Sequence, residues 1–216
     1  MTQPDHLSGI RAFYDAVAVD YAARFHDELD AKPLDRSMLA AFAELVRNAG
    51  GGPVADLGCG PGRVTAHLHG LGLSTHGVDL SPEMVALARR THPGLRFEEG
   101  TMTDLDRADG TLGGIVTWHS IIHTPDELLP ELFAEFHRLL VTGGHALFAF
   151  QIGDEPIYLD RPLGHKVSLD FHRRQPEFVA GLLAEAGLPV QARLSREPDD
   201  RGMETTPQAF LLSRKE

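Results

Sequence analysis

Apolar residues switch between two spacings along the chain, and the switches predict an α/β fold. Short continuous or alternating apolar runs predict strands, whereas apolar residues three or four apart predict helices. The predicted strands are residues 54–56, 73–80, 95–101, 113–118, 145–150, 190–196 and 208–214. The predicted helices are two in residues 7–48, divided by Pro33, and one each in residues 63–71, 82–92, 127–140 and 176–187. Because strands and helices alternate, we expect a parallel sheet with right-handed crossovers.

Two segments fall outside this alternation. Residues 1–30 are mainly helical, and Tyr21 follows Tyr14 by two helical turns on one face. Residues 151–175 are polar, contain prolines and a glycine, and are too long for a simple connection. Because additions to a rigid scaffold commonly carry function, we expect the two segments jointly to cover a substrate.

The most informative stretch is VADLGCGPGRVT, residues 54–65, in which a strand ends near Asp56 and is followed by Gly58, Gly60 and Gly62. Glycine permits positive φ and lets a ligand touch the backbone, and a helix start offers free N–H groups to ligand oxygens. The nicotinamide-dinucleotide fingerprint places its last glycine one residue later. Three interpretations of this stretch therefore remain open: a site for a nucleoside cofactor, a site for a nicotinamide cofactor, and a tight turn without a ligand.

A second signal is Asp79, which ends the second predicted strand 21 positions after Gly58. In a βαβ unit, the acidic residue at this place faces the ribose of a nucleoside held at the first strand. The alternative is a turn residue at the strand end. Ser81 is predicted to cap the following helix, with Pro82 at its first position.

Composition and charge narrow the class of protein. The chain has 216 residues with a net charge of −11, which argues against a nucleic-acid partner and an anionic membrane surface. Cys59 is the single cysteine, so no intrachain disulfide can form and a reducing, cytoplasmic location is expected. No signal peptide is expected, because the first residues lack a basic segment followed by an apolar one, and no apolar run approaches the length needed to span a bilayer.

Three motifs resemble those of the class I S-adenosylmethionine (SAM) methyltransferases. DLGCGPG is similar to motif I, (D/E)-x-G-x-G-x-G, and HSIIHTPDEL is similar to motif IV with its tail, in which His123 and Asp126 match. HRLLVTGGHALF resembles the turn before strand five, with Thr142 in place of the family's proline. The resemblance covers residues 10–214. It implies a Rossmann-like, seven-stranded, mostly parallel sheet of order 3-2-1-4-5-7-6, with strand 7 antiparallel and helices on both faces.

The resemblance also implies how the chain is divided. It predicts one methyltransferase domain over residues 1–216: an N-terminal helical lid (1–50), a SAM-binding core (51–150), an insertion over the substrate site (151–175), and a C-terminal helix and strand pair (176–216). Asp126 is predicted to cap the helix that follows it.

The implied cofactor is SAM. The residues expected to bind it are Tyr14, Tyr21, Asp56, Gly58, Cys59, Gly60, Asp79, Leu80, Met84, Thr101, Met102 and Thr117. The family usually has an acidic residue near the adenine amino group, where this chain has Thr101. Adenine is therefore expected to be held by the Met102 backbone and by stacking, with Asp104 as a substitute carboxylate or a simple cap. Arg24 is expected on a solvated helix face rather than at the cofactor carboxylate.

The expected reaction moves a methyl group to an oxygen, nitrogen or carbon nucleophile of a small molecule by in-line displacement. His119, just after the fourth strand, is the first candidate base, and His123 is the second. The alternative is that His119 only hydrogen-bonds the cofactor or fills the pocket, and that His123 has a structural or cofactor-binding role. No metal site is expected, because His67 and His69 face different sides of a helix. A nicotinamide-dependent oxidoreductase and a SAM-binding protein without turnover remain alternatives. The sequence leaves a homodimer open.

Overall fold

The structure is a computed structural model that describes residues 3–199 and 204–216. Its α-helices are α1 (Gln3–Phe25), α2 (Pro33–Asn48), α3 (Arg63–Gly70), α4 (Pro82–Thr91), α5 (Leu129–Leu139) and α6 (Pro176–Glu185). Its strands are β1 (Val54–Leu57), β2 (Thr75–Asp79), β3 (Arg96–Glu99), β4 (Leu112–Trp118), β5 (Leu140–Gln151), β6 (Ile157–Asp160), β7 (Ser168–Phe171), β8 (Val190–Arg196) and β9 (Gln208–Arg214). No helix among these described residues is long and apolar enough to cross a bilayer.

Seven strands form one sheet in the order β3-β2-β1-β4-β5-β9-β8. Strands β1 to β5 pair in parallel, and β9 runs antiparallel to both β5 and β8. Since β6 and β7 form a separate hairpin, β8 and β9 are strands 6 and 7 of the predicted order, and the fold prediction is confirmed. The strand order reverses between β1 and β4, so a crevice opens at their carboxyl ends.

Two apolar layers enclose this sheet, and the alternation of side chains along each strand supplies both. In β1, Ala55 and Leu57 belong to the layer that includes the α5 and α6 side chains, whereas Val54 belongs to the layer that includes α2 and α3. In β4, Ile115 and Val116 divide in the same way. This double coverage makes the central strands a rigid base for the residues at their carboxyl ends.

The region between β4 and β5 differs from the prediction in two respects. Residues 142–144, expected to end a helix, lie within β5, whose first residue Leu140 already pairs with Leu112 of β4. Asp126 does not cap α5, so that prediction is wrong. Its Oδ1 instead accepts a hydrogen bond from Nε of the buried Arg174 at 2.7 Å. A buried guanidinium needs a charged acceptor, and this pairing takes the carboxylate away from the helix start.

The two segments outside the main sheet meet above its carboxyl edge. The α1 helix is joined to the start of α4, where Ser81 Oγ donates to Asp15 at 2.5 Å. It is joined to the segment between β6 and β7 by a His165–Asp20 contact of 2.8 Å. Ser81 also accepts a hydrogen bond from Met84 N at 3.1 Å, which confirms Ser81 as the α4 cap. The predicted long loop between β8 and β9 includes residues 200–203, which lie outside the described residues.

Candidate active site

The glycine turn after β1 leaves bare backbone facing the crevice. Gly58, Gly60 and Gly62 all have positive φ, at 75°, 53° and 86°. A Cβ at Gly58 would overlap the side chain of Ser120, and one at Gly62 would lie 2.7 Å from Phe97. Glycine is therefore required here both by the backbone conformation and by the close approach of neighbouring side chains.

The Asp79 carboxylate is fixed against this turn. Its Oδ2 accepts from Gly60 N at 2.7 Å, and its Oδ1 accepts from Ser81 N at 2.9 Å. Burial raises the pKa of Asp79, and the two backbone N–H groups oppose that rise. An ionised carboxylate has about four acceptor positions, so both oxygens can still accept from a ligand. This arrangement suits a pair of adjacent hydroxyl groups.

A cleft with about 870 Å³ of empty space lies beside the turn and beneath α1. Eleven of the residues predicted from the sequence line it: Tyr14, Tyr21, Gly58, Gly60, Asp79, Leu80, Met84, Thr101, Met102, His119 and His123. The fold thus brings α1, the glycine turn, the ends of β2 and β4, and the segment after β3 around one cavity.

Three of the predicted cofactor residues do not line this cleft. Asp56 is fully buried, and its Oδ2 accepts from Thr65 Oγ1 at 2.6 Å. Burial raises the pKa of Asp56 to about 7. Cys59 packs against the apolar cluster of α4 and β3, and burial raises the pKa of its thiol. Thr117 is also fully buried in β4. Their side chains support the turn and the sheet from behind the cleft.

Tyr14 and His123 form a hydrogen-bonded pair in the cleft. The Tyr14 hydroxyl lies 2.6 Å from His123 Nε2. Burial raises the pKa of Tyr14 and lowers the pKa of His123 to about 3, so both groups are neutral near pH 7. Phe171 of β7 packs edge-on against the imidazole, with ring centroids 4.8 Å apart. His123 therefore links the lid helix to the hairpin, and its Nε2 is already engaged.

His119 follows β4 directly and has an unusual backbone conformation. Its φ is 55°, a left-handed value that is uncommon outside glycine, and its N–H donates to Ala149 O at 2.9 Å. Burial lowers the pKa of His119 to about 4, so the imidazole is neutral near pH 7 and has an unprotonated ring nitrogen. Strain of this kind is often retained where it places a functional side chain.

A second chamber, with about 640 Å³ of empty space, adjoins the first cleft. Four residues line both cavities: Tyr14, Tyr21, Trp118 and His119. Sequence reasoning identified His119 and both tyrosines but not Trp118. It also missed the polar residues of the second chamber, namely Glu28, Arg63, Gln151, Glu204 and Gln208.

Several further cleft residues were missed, and only some of them left a signal in the sequence. Leu7 and Ile10 belong to the apolar side of α1, and Thr124 and Leu128 follow β4. The helical spacing of α1 places Ile10 one turn before Tyr14. The polar chamber residues come from distant parts of the chain and carry no local motif. Arg24 is exposed and lines neither cavity, as the sequence predicts.

Among the described residues, no group of three or more His, Cys, Asp and Glu side chains is arranged to hold a metal ion. Catalysis without a metal remains a prediction, and it rests on the residue pattern of the sequence.

Comparison with known proteins identifies the class of this site. Residues 54–144 match the family described as methyltransferase domain, and this range contains the glycine turn, Asp79 and His119. The sheet order is that of the class I methyltransferases. Residues 54–144 are therefore a methyltransferase domain with the class I fold, and the protein is an enzyme whose methyl donor is SAM, as the sequence motifs predicted.

The individual relatives have low sequence identity to this chain. The chain is 27% identical over 191 residues to the demethylmenaquinone methyltransferase of Chlorobaculum parvum, which covers 86% of this chain and 76% of the relative. It is 34% identical over 149 residues to trans-aconitate 2-methyltransferase of Escherichia coli O7:K1, covering 63% of this chain and 56% of the relative. The crystal structure of magnesium protoporphyrin IX methyltransferase from Synechocystis PCC 6803 with bound SAM superposes with a TM-score of 0.71 at 14% identity, covering 98% of this chain and 97% of that chain. The structural likeness shows the fold.

Proposed function

We propose that this enzyme methylates an oxygen, nitrogen or carbon nucleophile of a small molecule at the junction of the two cavities. One observation carries the proposal: the cleft beside the glycine turn and the second chamber share Tyr14, Tyr21, Trp118 and His119. In-line transfer requires donor and acceptor to meet from opposite sides of the methyl group. Two adjoining cavities with a common aromatic boundary meet this requirement.

The cleft has the hydrogen-bond acceptors and the apolar surface that the adenosine part of SAM needs. The Asp79 oxygens retain acceptor positions for both ribose hydroxyls. Leu80 and Met84 provide apolar surface beside them, and Thr101 and Met102 lie where adenine is expected. The Thr101 and Thr103 hydroxyls are 2.8 Å apart and bonded to each other. This supports holding adenine by backbone and stacking rather than by a carboxylate at position 101.

Bound SAM supplies a sulfonium methyl that is already electrophilic, so the chain's residues have two tasks. The first is to hold the acceptor at the boundary formed by Tyr14, Tyr21 and Trp118 while the lid excludes water. The second applies when the acceptor is an O–H or N–H group. The neutral imidazole of His119 then takes the proton as the acceptor lone pair forms its bond to carbon and the carbon–sulfur bond breaks.

The relatives differ in what they methylate, so they support the small-molecule class without fixing the acceptor. By name, one acts on demethylmenaquinone and another on trans-aconitate. The proposal includes the single-domain division predicted from the sequence and a cytoplasmic location. It also includes action without a nucleic-acid or membrane partner. Analytical ultracentrifugation would measure whether the protein forms a homodimer.

Calorimetric titration with SAM, its demethylated product S-adenosylhomocysteine (SAH), and NADH tests the cofactor assignment. We expect micromolar binding of SAM and SAH and no binding of NADH at the same concentrations. Incubation with methyl-labelled SAM and a panel of phenols, amines and carboxylic acids then tests turnover. SAM binding without transfer to any acceptor in the panel would identify a SAM-binding protein without turnover and overturn the catalytic proposal.

A further inference from the structure

Five of the twelve residues that line the second chamber are Phe, Tyr or Trp. Tyr21, Phe25, Trp118 and Phe171 contribute rings from α1, β4 and β7, and Trp118 is the chain's only tryptophan. Tyr21 and Phe25 pack against each other with centroids 4.6 Å apart. Rings favour stacked or edge-on contact with other flat groups. Walls of this kind favour a planar ligand over a flexible chain.

The cations beside the chamber already have partners. The Arg63 guanidinium donates to the Glu28 carboxylate, which also accepts from Lys32 Nζ at 2.6 Å. Lys32 Nζ lies 2.6 Å from Glu204 as well. Lys32 is only 5% exposed, so these contacts are shielded from water. A ligand carboxylate that paired with either cation would therefore lie close to the carboxylate of Glu28 or Glu204.

The same network continues away from the chamber and includes Asp199, whose Oδ2 lies 3.8 Å from Lys32 Nζ, so its carboxylates outnumber its cations. Arg196 donates to Asp35 at 2.6 Å and to Glu204 at 2.5 Å. Although burial opposes it, hydrogen bonds from Arg196 and Lys32 hold the pKa of Glu204 at about 2, so Glu204 is ionised. Within the described residues, the three cations of this network face at least four carboxylates. An added anion would therefore carry unmatched negative charge into a buried site.

Two residues that line the chamber, Gln151 and His119, carry uncharged acceptors. The buried Oε1 of Gln151 has no hydrogen-bond partner among the described residues. Gln208 lies opposite Gln151 in the register of β5 and β9. Its Nε2 donates a hydrogen bond to Thr206 O at 2.7 Å. At the boundary with the cofactor cleft, His119 presents a neutral imidazole. An unpaired buried acceptor is costly, and a ligand O–H or N–H donor would satisfy it.

We propose that the second chamber binds an uncharged, planar ring compound bearing an O–H or N–H group and discriminates against carboxylates. This inference rests on the proposed function, because it takes the second chamber to be the acceptor site. The donor group of the ring would reach Gln151 or His119 while the ring lies among the aromatic walls.

The test compares two probes of the same ring size on protein saturated with SAH. Calorimetry would measure 2-naphthol, which is neutral and carries an O–H donor, against 2-naphthoate, which carries a carboxylate. We expect 2-naphthol to bind at least tenfold more tightly. Equal or tighter binding of 2-naphthoate would overturn the inference, and so would absence of 2-naphthol binding. A separate SAH titration distinguishes these failures from failure of the cofactor assignment.

Variants at Gln151 sharpen the test. Gln151→Leu removes the unpaired acceptor and should weaken 2-naphthol binding by about three- to tenfold, the worth of one neutral hydrogen bond. Gln151→Lys adds a cation to the chamber lining and should raise the affinity for 2-naphthoate. The matched control is Gln191→Leu, which makes the same change at an exposed position of β8. Unchanged preference in both Gln151 variants, with SAH binding intact, would place the ring outside the chamber.

Discussion

The ribose assignment of Asp79 can be tested by changing its charge without changing its shape. Asp79→Asn keeps the size of the side chain but leaves one oxygen acceptor where there were two. In the structure both oxygens are already held by backbone N–H groups, of Gly60 and Ser81. The amide nitrogen of the variant must therefore face one of these donors. The variant can offer the ribose at most one uncharged acceptor in good geometry.

The expected loss follows from the bonds removed. A hydrogen bond to a charged group is worth about 1.5–3 kcal/mol. Losing one corresponds to a roughly 10- to 150-fold weaker affinity for SAH. Asp79→Ala removes both ribose bonds and should cost at least as much. Because burial raises the pKa of Asp79, the neutral amide avoids a costly buried charge, and we expect Asp79→Asn to remain folded.

Calorimetry with SAH measures this loss, and thermal melting followed by circular dichroism verifies folding. The matched control is Glu83→Gln, an exposed carboxylate in the first turn of α4 that lines neither cavity. Its SAH affinity should equal that of the wild type. A folded Asp79→Asn variant with unchanged SAH affinity would refute the ribose assignment.

The sheet and the cofactor cleft were predictable because their signals are local. The glycine turn, Asp79 and Ser81 lie within one βαβ unit, in which each residue's place follows from its distance to a strand end. The direction in which each side chain points could not be predicted from the motif. Asp56 lies in motif I and Thr117 near the end of β4, yet both side chains are fully buried away from the cleft. Their roles in cofactor binding stay predictions.

The second chamber was not predictable because no single segment encodes it. Gln151 and Gln208 face each other only because β9 pairs antiparallel with β5. Glu28 meets Glu204 through Lys32, which joins the segment between α1 and α2 to the loop before β9. Spacing along the chain carries no information about such contacts. They follow from the complete topology and the packing of the lid.

The lid and the ribose site share one residue, and this links cofactor binding to lid closure. Ser81 N donates to Asp79, while Ser81 Oγ donates to Asp15 of α1. A ligand that holds Asp79 in place also fixes the backbone that presents Ser81 to Asp15. The α1 helix is in turn joined through Tyr14 to His123 and the hairpin. Filling the cleft should therefore stabilise contacts on both covering segments.

Three further predictions follow. His119→Ala should lower kcat for an O–H or N–H acceptor by about 10²–10⁴ while leaving SAH affinity unchanged; a wild-type rate would leave catalysis to proximity alone. Since folded His119 and His123 have pKa values of about 4 and 3, the unfolded chain binds more protons below pH 6.5. Lowering the pH from 7 to 5.5 should then cost about 1 kcal/mol per histidine. Protonation of Asp56, whose folded pKa is about 7, offsets part of this cost, so Tm should fall by about 2–4 °C, and a Tm that does not fall would contradict this. Finally, hydrogen exchange should slow in residues 1–30 and 151–175 when SAH and an acceptor are added. The reason is that the bonds through Ser81 and Tyr14 make opening of either segment more costly once the cleft is filled. Protection confined to residues 54–80 would show that the two segments do not cover the substrate.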